Sequence, residues 1–100
     1  MSITTSSGTG GQFIIKIQGR FDFSVHQDFK NAYESSDNKS NKFEVDMSGT
    51  TYLDSSALGM LLLLRDYAGG DTSSITITNS SVDIKKILTI SNFEQLFTIT

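Results

Sequence analysis

The chain has 100 residues, 37% of them hydrophobic and 19% charged, with a formal net charge of −3 and a pI near 4.8. That is the length of one domain, with enough apolar material for a core and too much for disorder. The acidic balance argues against nucleic acid or an anionic membrane as partner; with no cysteine and one histidine, a disulfide framework, a thiolate nucleophile and a Cys- or His-rich zinc site are excluded.

The chain opens on Ser, Thr and Gly rather than on a charged-then-apolar leader. Its longest apolar run, Met60 to Leu64, is far short of the roughly 18 residues that suggest a membrane span. The expectation is a cytoplasmic protein with no membrane insertion.

Residues 1–11 are small and polar. They read either as a weak edge strand around Ile3 to Thr5, turned by Gly8, Gly10 and Gly11, or as a partly disordered tail. Phe13 to Ile17 is β-branched and aromatic, hence a strand, which Gly19 is expected to end. Residues 17–22 then bend into a helix capped by Asp22 or Ser24. Val25, Phe29, Ala32 and Tyr33 recur at steps of three and four, one face of an amphipathic helix reaching about Ser36. Residues 37–41 form a polar loop.

Phe43, Val45 and Met47 alternate with Glu44 and Asp46, which is a second strand. Ser48 to Thr51 reads as a turn, with Tyr52 and Leu53 returning inward and a helix starting near Ser55. Gly69-Gly70 stops that helix. Ser74 to Thr78 is a strand. Ser80 stands three residues before Asp83, a capping-box arrangement for a third helix. Its Ile84, Ile87 and Leu88 face inward and Lys85 and Lys86 face water. Leu96 to Ile99 forms a last short strand. The alternation predicts a single α/β domain over residues 1–100, with a four- to five-stranded mixed sheet, mostly parallel, and an antiparallel N-terminal edge.

The second helix can be laid out at about 100° per residue. Ala57, Leu61, Leu64 and Ala68 share one stripe, as a core face does. Ser55, Gly59 and Asp66 fall on the opposite side, and Ser56 lies at a flank with Met60 and Tyr67. Leu62 and Leu63 border the exposed side, a small apolar patch suited to docking a partner or to weak self-association. The junction before this helix follows the C-terminal end of a parallel strand, where open α/β sheets place ligands and helix N–H groups favour anions. A phosphoryl group on Ser55 would set a hydrated dianion beside the leucines and repel a docked partner. Asp54 would sharpen that repulsion.

Tyr52-Leu53-Asp54-Ser55-Ser56-Ala57-Leu58-Gly59 resembles the signature of the STAS family, which includes the bacterial anti-sigma factor antagonists. Val45 to Ser48, Ile17 to Asp22, and Leu88 to Phe93 with Leu96-Phe97 resemble the family's other segments in order. Ala57 stands where a glycine is common. The resemblance implies three main helices largely on one face of the sheet. It also implies a switch in which the serine after the signature aspartate, here Ser55 with Ser56 as second choice, is phosphorylated by an ATP-dependent anti-sigma serine kinase, whether or not that kinase is itself the bound anti-sigma factor. A PP2C-type phosphatase reverses this, and the unphosphorylated form binds the anti-sigma factor. The expected partner-binding residues are Asp22, Asp54, Ser55, Ser56, Gly59, Leu62 and Leu63, in a monomer or weak dimer. Other members of the family serve transporters, often without the serine; such a transport or scaffold module is the alternative.

An enzyme is not expected. His26, Asp22 or Asp54, and Ser55 lack the Gly-x-Ser-x-Gly frame of a nucleophile elbow. Asp22, Asp46 and Asp54 fit turn and cap roles better than a metal cluster. No Gly-rich loop leads into a helix with a lysine, so no nucleotide cofactor is implied.

Overall fold

The computed structural model describes residues 3–8, 11–34 and 42–100. In chain order these form β1 (Ile3–Ser7), β2 (Phe13–Phe21), α1 (His26–Glu34), β3 (Lys42–Leu53), α2 (Ser55–Tyr67), β4 (Ser74–Thr78), α3 (Val82–Ile90) and β5 (Thr98–Ile99). Short 3-10 turns precede α1 at Phe23–Val25, follow α2 at Gly70–Thr72, and follow α3 at Phe93–Gln95. The five strands form one sheet in the order β1-β2-β3-β4-β5. β1 is antiparallel to β2, and the remaining neighbours are parallel. Strand and sheet thus follow the alternation in the sequence, and Ile3–Ser7 forms an edge strand. The expected extension of the first helix to Ser36, the loop at 37–41 and the turn position of Gly10 lie outside the described residues.

Register explains why the helices share one face. Phe13, Phe43 and Ile75 are aligned across three strands, as are Ile15, Val45 and Ile77. All but the half-buried Phe13 are buried, whereas the alternating Ile14, Lys16, Glu44, Asp46, Thr76 and Thr78 are only half-buried. Because side chains alternate along a strand, a single sheet face is apolar. Phe29, Ala32 and Tyr33 of α1, Ala57, Met60, Leu61 and Leu64 of α2, and Ile84 and Leu88 of α3 join it in one continuous core. Each fully buried Leu or Ile contributes about 1.5–3 kcal/mol by leaving water.

Two strands run further than their punctuation suggests. β2 continues through Gly19 to Phe21; Gly19 adopts φ +84°, a left-handed conformation that glycine takes without a Cβ penalty. β3 continues through Ser48-Gly49-Thr50-Thr51 to Leu53 instead of turning there. Between the Phe13–Phe43 and Phe21–Leu53 pairs, β3 spends eleven residues against nine in β2. The two extra residues enter at register shifts beside Gln18 and Arg20. These are β-bulges, which bend the strand and raise its twist. They change the inward step from two to three, so that Met47, Thr50 and Leu53 are buried. Thr50 satisfies its buried hydroxyl by donating to the Ile17 carbonyl at 2.9 Å. Tyr52, expected to turn inward, instead points out and is 39% exposed.

Smaller corrections arise from local chemistry. α3 is capped by Ser81, whose hydroxyl accepts from the Ile84 N–H at 3.2 Å, and not by Ser80. The last strand shortens to Thr98–Ile99 because the Phe93–Gln95 turn consumes the residues before it. Met60, placed at a flank by ideal geometry, is buried where α1 packs on α2.

Candidate functional site

The bulged end of β3 sets up the junction of interest. Phe21 pairs with Leu53, so Asp22 and Asp54 are the next residues of two adjacent parallel strands. Both have extended backbone, and each caps the helical segment that begins after it. Asp22, rather than Ser24, caps the 3-10 turn: its carboxylate accepts from the Ser24 N–H at 3.0 Å and from the Ser24 hydroxyl. Arg20 adds an ion pair at 3.1 Å while its guanidinium lies 4.0 Å over the Tyr52 ring. The Ser24 hydroxyl and N–H, then Arg20, hold the Asp22 carboxyl below its usual range.

Asp54 caps α2. One carboxylate oxygen, Oδ1, accepts both the Ser56 hydroxyl at 2.6 Å and the Ala57 N–H at 3.1 Å. These two bonds, the Ser56 hydroxyl first, lower its pKa; the nearby Asp22 charge pushes the other way. The two serines are thereby distinguished. Ser56 is half-buried and its hydroxyl is committed to Asp54. Ser55 is exposed, and its hydroxyl has no hydrogen-bond partner among the described residues.

From Ser55 the exposed face of α2 continues through Gly59 and Leu62 to Asp66, within about 60° of one another at helical spacing. Leu62 is 42% and Leu63 54% exposed. Gly59 is exposed, and a Cβ built on it would meet nothing within 4 Å. Leu63 turns toward α1, where it lines a shallow cleft with His26, Phe29, Lys30, Tyr33 and Met60. The structure therefore brings Asp22, Asp54, Ser55 and Ser56 to one end of the sheet and runs Gly59, Leu62 and Leu63 away from it along α2.

Three further exposed aromatic groups border the site. Phe23 is 67% exposed and stacks on His26 with ring centroids 4.9 Å apart. Tyr52 carries the Arg20 guanidinium on its ring. Tyr67 is exposed and packs against Tyr33 at 5.0 Å. The bulges expose Tyr52; helical spacing places Tyr67 at the flank of α2, and nothing in the sequence pattern marks Phe23.

The chemistry available is that of a presented hydroxyl beside capping carboxylates. His26 stacks its ring on Phe23, and Asp54 Oδ1 accepts from Ser56 and from the Ala57 N–H. Asp46 sits apart on the open sheet face. Burial raises its pKa, but the Ser48 N–H and hydroxyl and the Asn79 amide outweigh that and leave it lowered. Among the described residues no group of three His, Cys, Asp or Glu side chains is placed to hold a metal ion. No helix of the described residues is long and apolar enough to cross a membrane.

An α/β sheet covered by helices on one face, with a capped Asp-Ser-Ser junction before its second helix, defines a class, and the sequence comparison names it. Residues 4–98 match the family described as Mlab, STAS domain, and the chain belongs to the STAS family. It is 55% identical over 101 residues, the full length of both chains, to a STAS-domain containing protein of Pseudomonas aeruginosa (strain UCBPP-PA14). In fold it is similar to a putative anti-sigma factor antagonist from Thermotoga maritima, with a TM-score of 0.83 at 15% identity over 97% of this chain and 84% of that one. The anti-sigma factor antagonist SpoIIAA in its unphosphorylated form gives 0.69 at 12% identity over 99% and 87%. A sulfate transporter family protein from Wolinella succinogenes gives 0.73 at 16% over 93% and 80%.

Proposed function

We propose that this protein is a phosphorylation-controlled binding switch. Unmodified, it holds an anti-sigma factor or similar regulator against the Ser55 face of α2; phosphorylation of Ser55 by a partner serine kinase releases that regulator. A PP2C-type phosphatase would restore the binding form. The protein itself performs no catalysis and needs no cofactor. One observation carries the reading: the Ser55 hydroxyl, without a hydrogen-bond partner among the described residues, is exposed on the same helix face as Gly59 and Leu62, while the adjacent Ser56 hydroxyl is tied to Asp54.

The energetics support it. A phosphoserine at the first turn of α2 adds roughly −1.5 to −2 charges, which the helix N-terminus tolerates. The fold survives, and the cost falls on a partner that must desolvate a dianion to reach Leu62. Gly59 points the same way. A glycine inside an exposed helix costs about 0.5–1 kcal/mol relative to alanine, and among the described residues no packing requires it. Close approach of a partner to the helix would account for it. That a relative's structure is described as its unphosphorylated form supports extending the switch to this chain.

A second reading, a transport or scaffold module that does not switch, is favoured by the sulfate transporter family neighbour. The two separate on variants. Ser55→Ala should hold the captured regulator whether or not kinase and ATP are present, and Ser55→Asp should weaken binding, though less than true phosphate does because its charge is smaller. Equal affinity of wild type and Ser55→Asp for the isolated regulator would remove the switch and favour the module.

A further inference from the structure

The sheet has two edges, and they are built differently. At one, β5 is two residues long, and very short edge strands are one of the devices that block unwanted pairing. At the other, β1 presents five residues, Ile3-Thr4-Thr5-Ser6-Ser7, with no lysine, proline or bulge. Residues 1–15 contain no charged side chain at all. β1 is also held firmly, because Ile3 is buried in the core. Among the described residues it is an unguarded edge on a fixed strand.

The direction of its backbone groups can be read off the hairpin. Residues of an antiparallel pair alternate between those that exchange hydrogen bonds and those that do not. The Gly8 N–H donates to the Gln12 carbonyl at 2.9 Å, in register with the Ser7–Phe13 pair. Counting back, Ser6 and Thr4 bond to β2, and Ile3, Thr5 and Ser7 direct their N–H and C=O groups outward. Three outward residues spaced by two, centred on Thr5, form a self-complementary set.

We propose that the free edge of β1 is a self-association surface, at which a second copy adds its own β1 antiparallel about a two-fold axis at Thr5. Thr5 then pairs with Thr5 of the second copy, and Ile3 with Ser7, exchanging about six N–H···O bonds. Thr4 faces Ser6 in the pairs between, a hydroxyl combination favoured across strands. The two sheets become one of ten strands. Lys16, the first charge in the chain, lies on β2 beside Thr4. The two copies of it stand three strand spacings apart, about 14 Å, beyond the roughly 8 Å Debye length at physiological salt. A five-residue ladder buries less than the 1,200–2,000 Å² or so of stable complexes, so the dimer is weak. It leaves the Ser55 face of each copy open.

Sedimentation of the full chain from about 20 µM to 1 mM, the range suited to so small an interface, tests this. The weight-average mass of the wild type should climb from the single-chain 11.0 kDa toward twice that. Thr5→Pro removes an outward donor and no bond to β2, and should hold the single-chain mass. Thr5→Lys and Thr5→Glu, each placing like charges opposite one another, should also stay monomeric, and an equimolar mixture of the two should regain the dimer. That regain cannot come from a variant that fails to fold. Leu62→Ser with Leu63→Ser should dimerise as the wild type does. A wild type that stays at single-chain mass at 1 mM or so overturns the proposal. So does association that survives Thr5→Pro but is lost on replacing the two leucines.

Discussion

The Ser56 hydroxyl donates to Asp54 Oδ1 at 2.6 Å. This bond sets the roles of three consecutive residues: Asp54 spends one oxygen on the helix and its neighbour, Ser56 is spent on the cap, and Ser55 is left over. The cap is therefore made by Asp54 with Ser56, and Ser55 stands outside it.

The cap carries a pH signature. The Ser56 hydroxyl and the Ala57 N–H hold the folded pKa of Asp54 below the ordinary aspartate value. A carboxyl of that kind contributes stability that is complete above its unfolded pKa and is lost as pH falls through its folded pKa. Asp22 and Asp46 are shifted in the same direction. Urea denaturation below about pH 4 should thus show falling stability with acidification. Asp54→Asn keeps a good cap residue and should change stability little at pH 7 while flattening that acid slope. An unchanged slope in the variant would show that Asp54 does not contribute to it.

Gly59→Ala separates folding from binding. Adding a methyl in open space on a helix should raise stability by about 0.5–1 kcal/mol. The same methyl between α2 and a closely packed regulator should weaken the complex by about 1–3 kcal/mol. Thermal melts and titration calorimetry read the two changes independently. Stabilisation with unaltered affinity would move the docked regulator off this face.

Adjacent leucines should behave as opposites. Leu61 is fully buried, and Leu61→Ala should cost about 2–5 kcal/mol of stability. Leu62→Ala should stay within about 0.5 kcal/mol of wild type and yet lose affinity for the regulator. Denaturant midpoints and pull-down of the regulator provide the comparison.

The bulged half of β3 was the part of the fold least legible in sequence. Phe43, Val45 and Met47 announce a strand by alternation, and Asp54 with the apolar steps after it announces the helix. Between them, Ser48-Gly49-Thr50-Thr51 has turn composition, and two bulges change the inward step to three, a period that belongs to no regular strand. Thr50 is consequently buried and Tyr52 exposed, against the pattern. The spacing of Ser80 to Asp83 points to Ser80 as the cap of α3; the start of α3 at Val82 makes it Ser81 instead. The outward face of α2 needed no structure, because 3.6-residue periodicity fixes it once Leu61 and Leu64 are inside. The exposed Phe23 was not legible, since its stacking on His26 is a tertiary contact with no periodic signal.

Thr50 offers a direct test of the bulge. Thr50→Val keeps the shape but removes the donor to the Ile17 carbonyl, and should cost about 1–2 kcal/mol. Thr51→Val, at an exposed position, should remain within about 0.5 kcal/mol. Equal effects at the two positions would mean that β3 turns at Ser48 after all.

The central claim is that Ser55 is the modified residue, and fragmentation mass spectrometry on the protein purified from its own cells tests it most directly. Trypsin releases Phe43 to Arg65 as one peptide carrying Ser48, Thr50, Thr51, Ser55 and Ser56, so fragment ions must place the phosphate. Phosphate is expected on Ser55, with Ser56 unmodified. Phosphate on Ser56 alone, or an unmodified peptide across growth conditions, would contradict it.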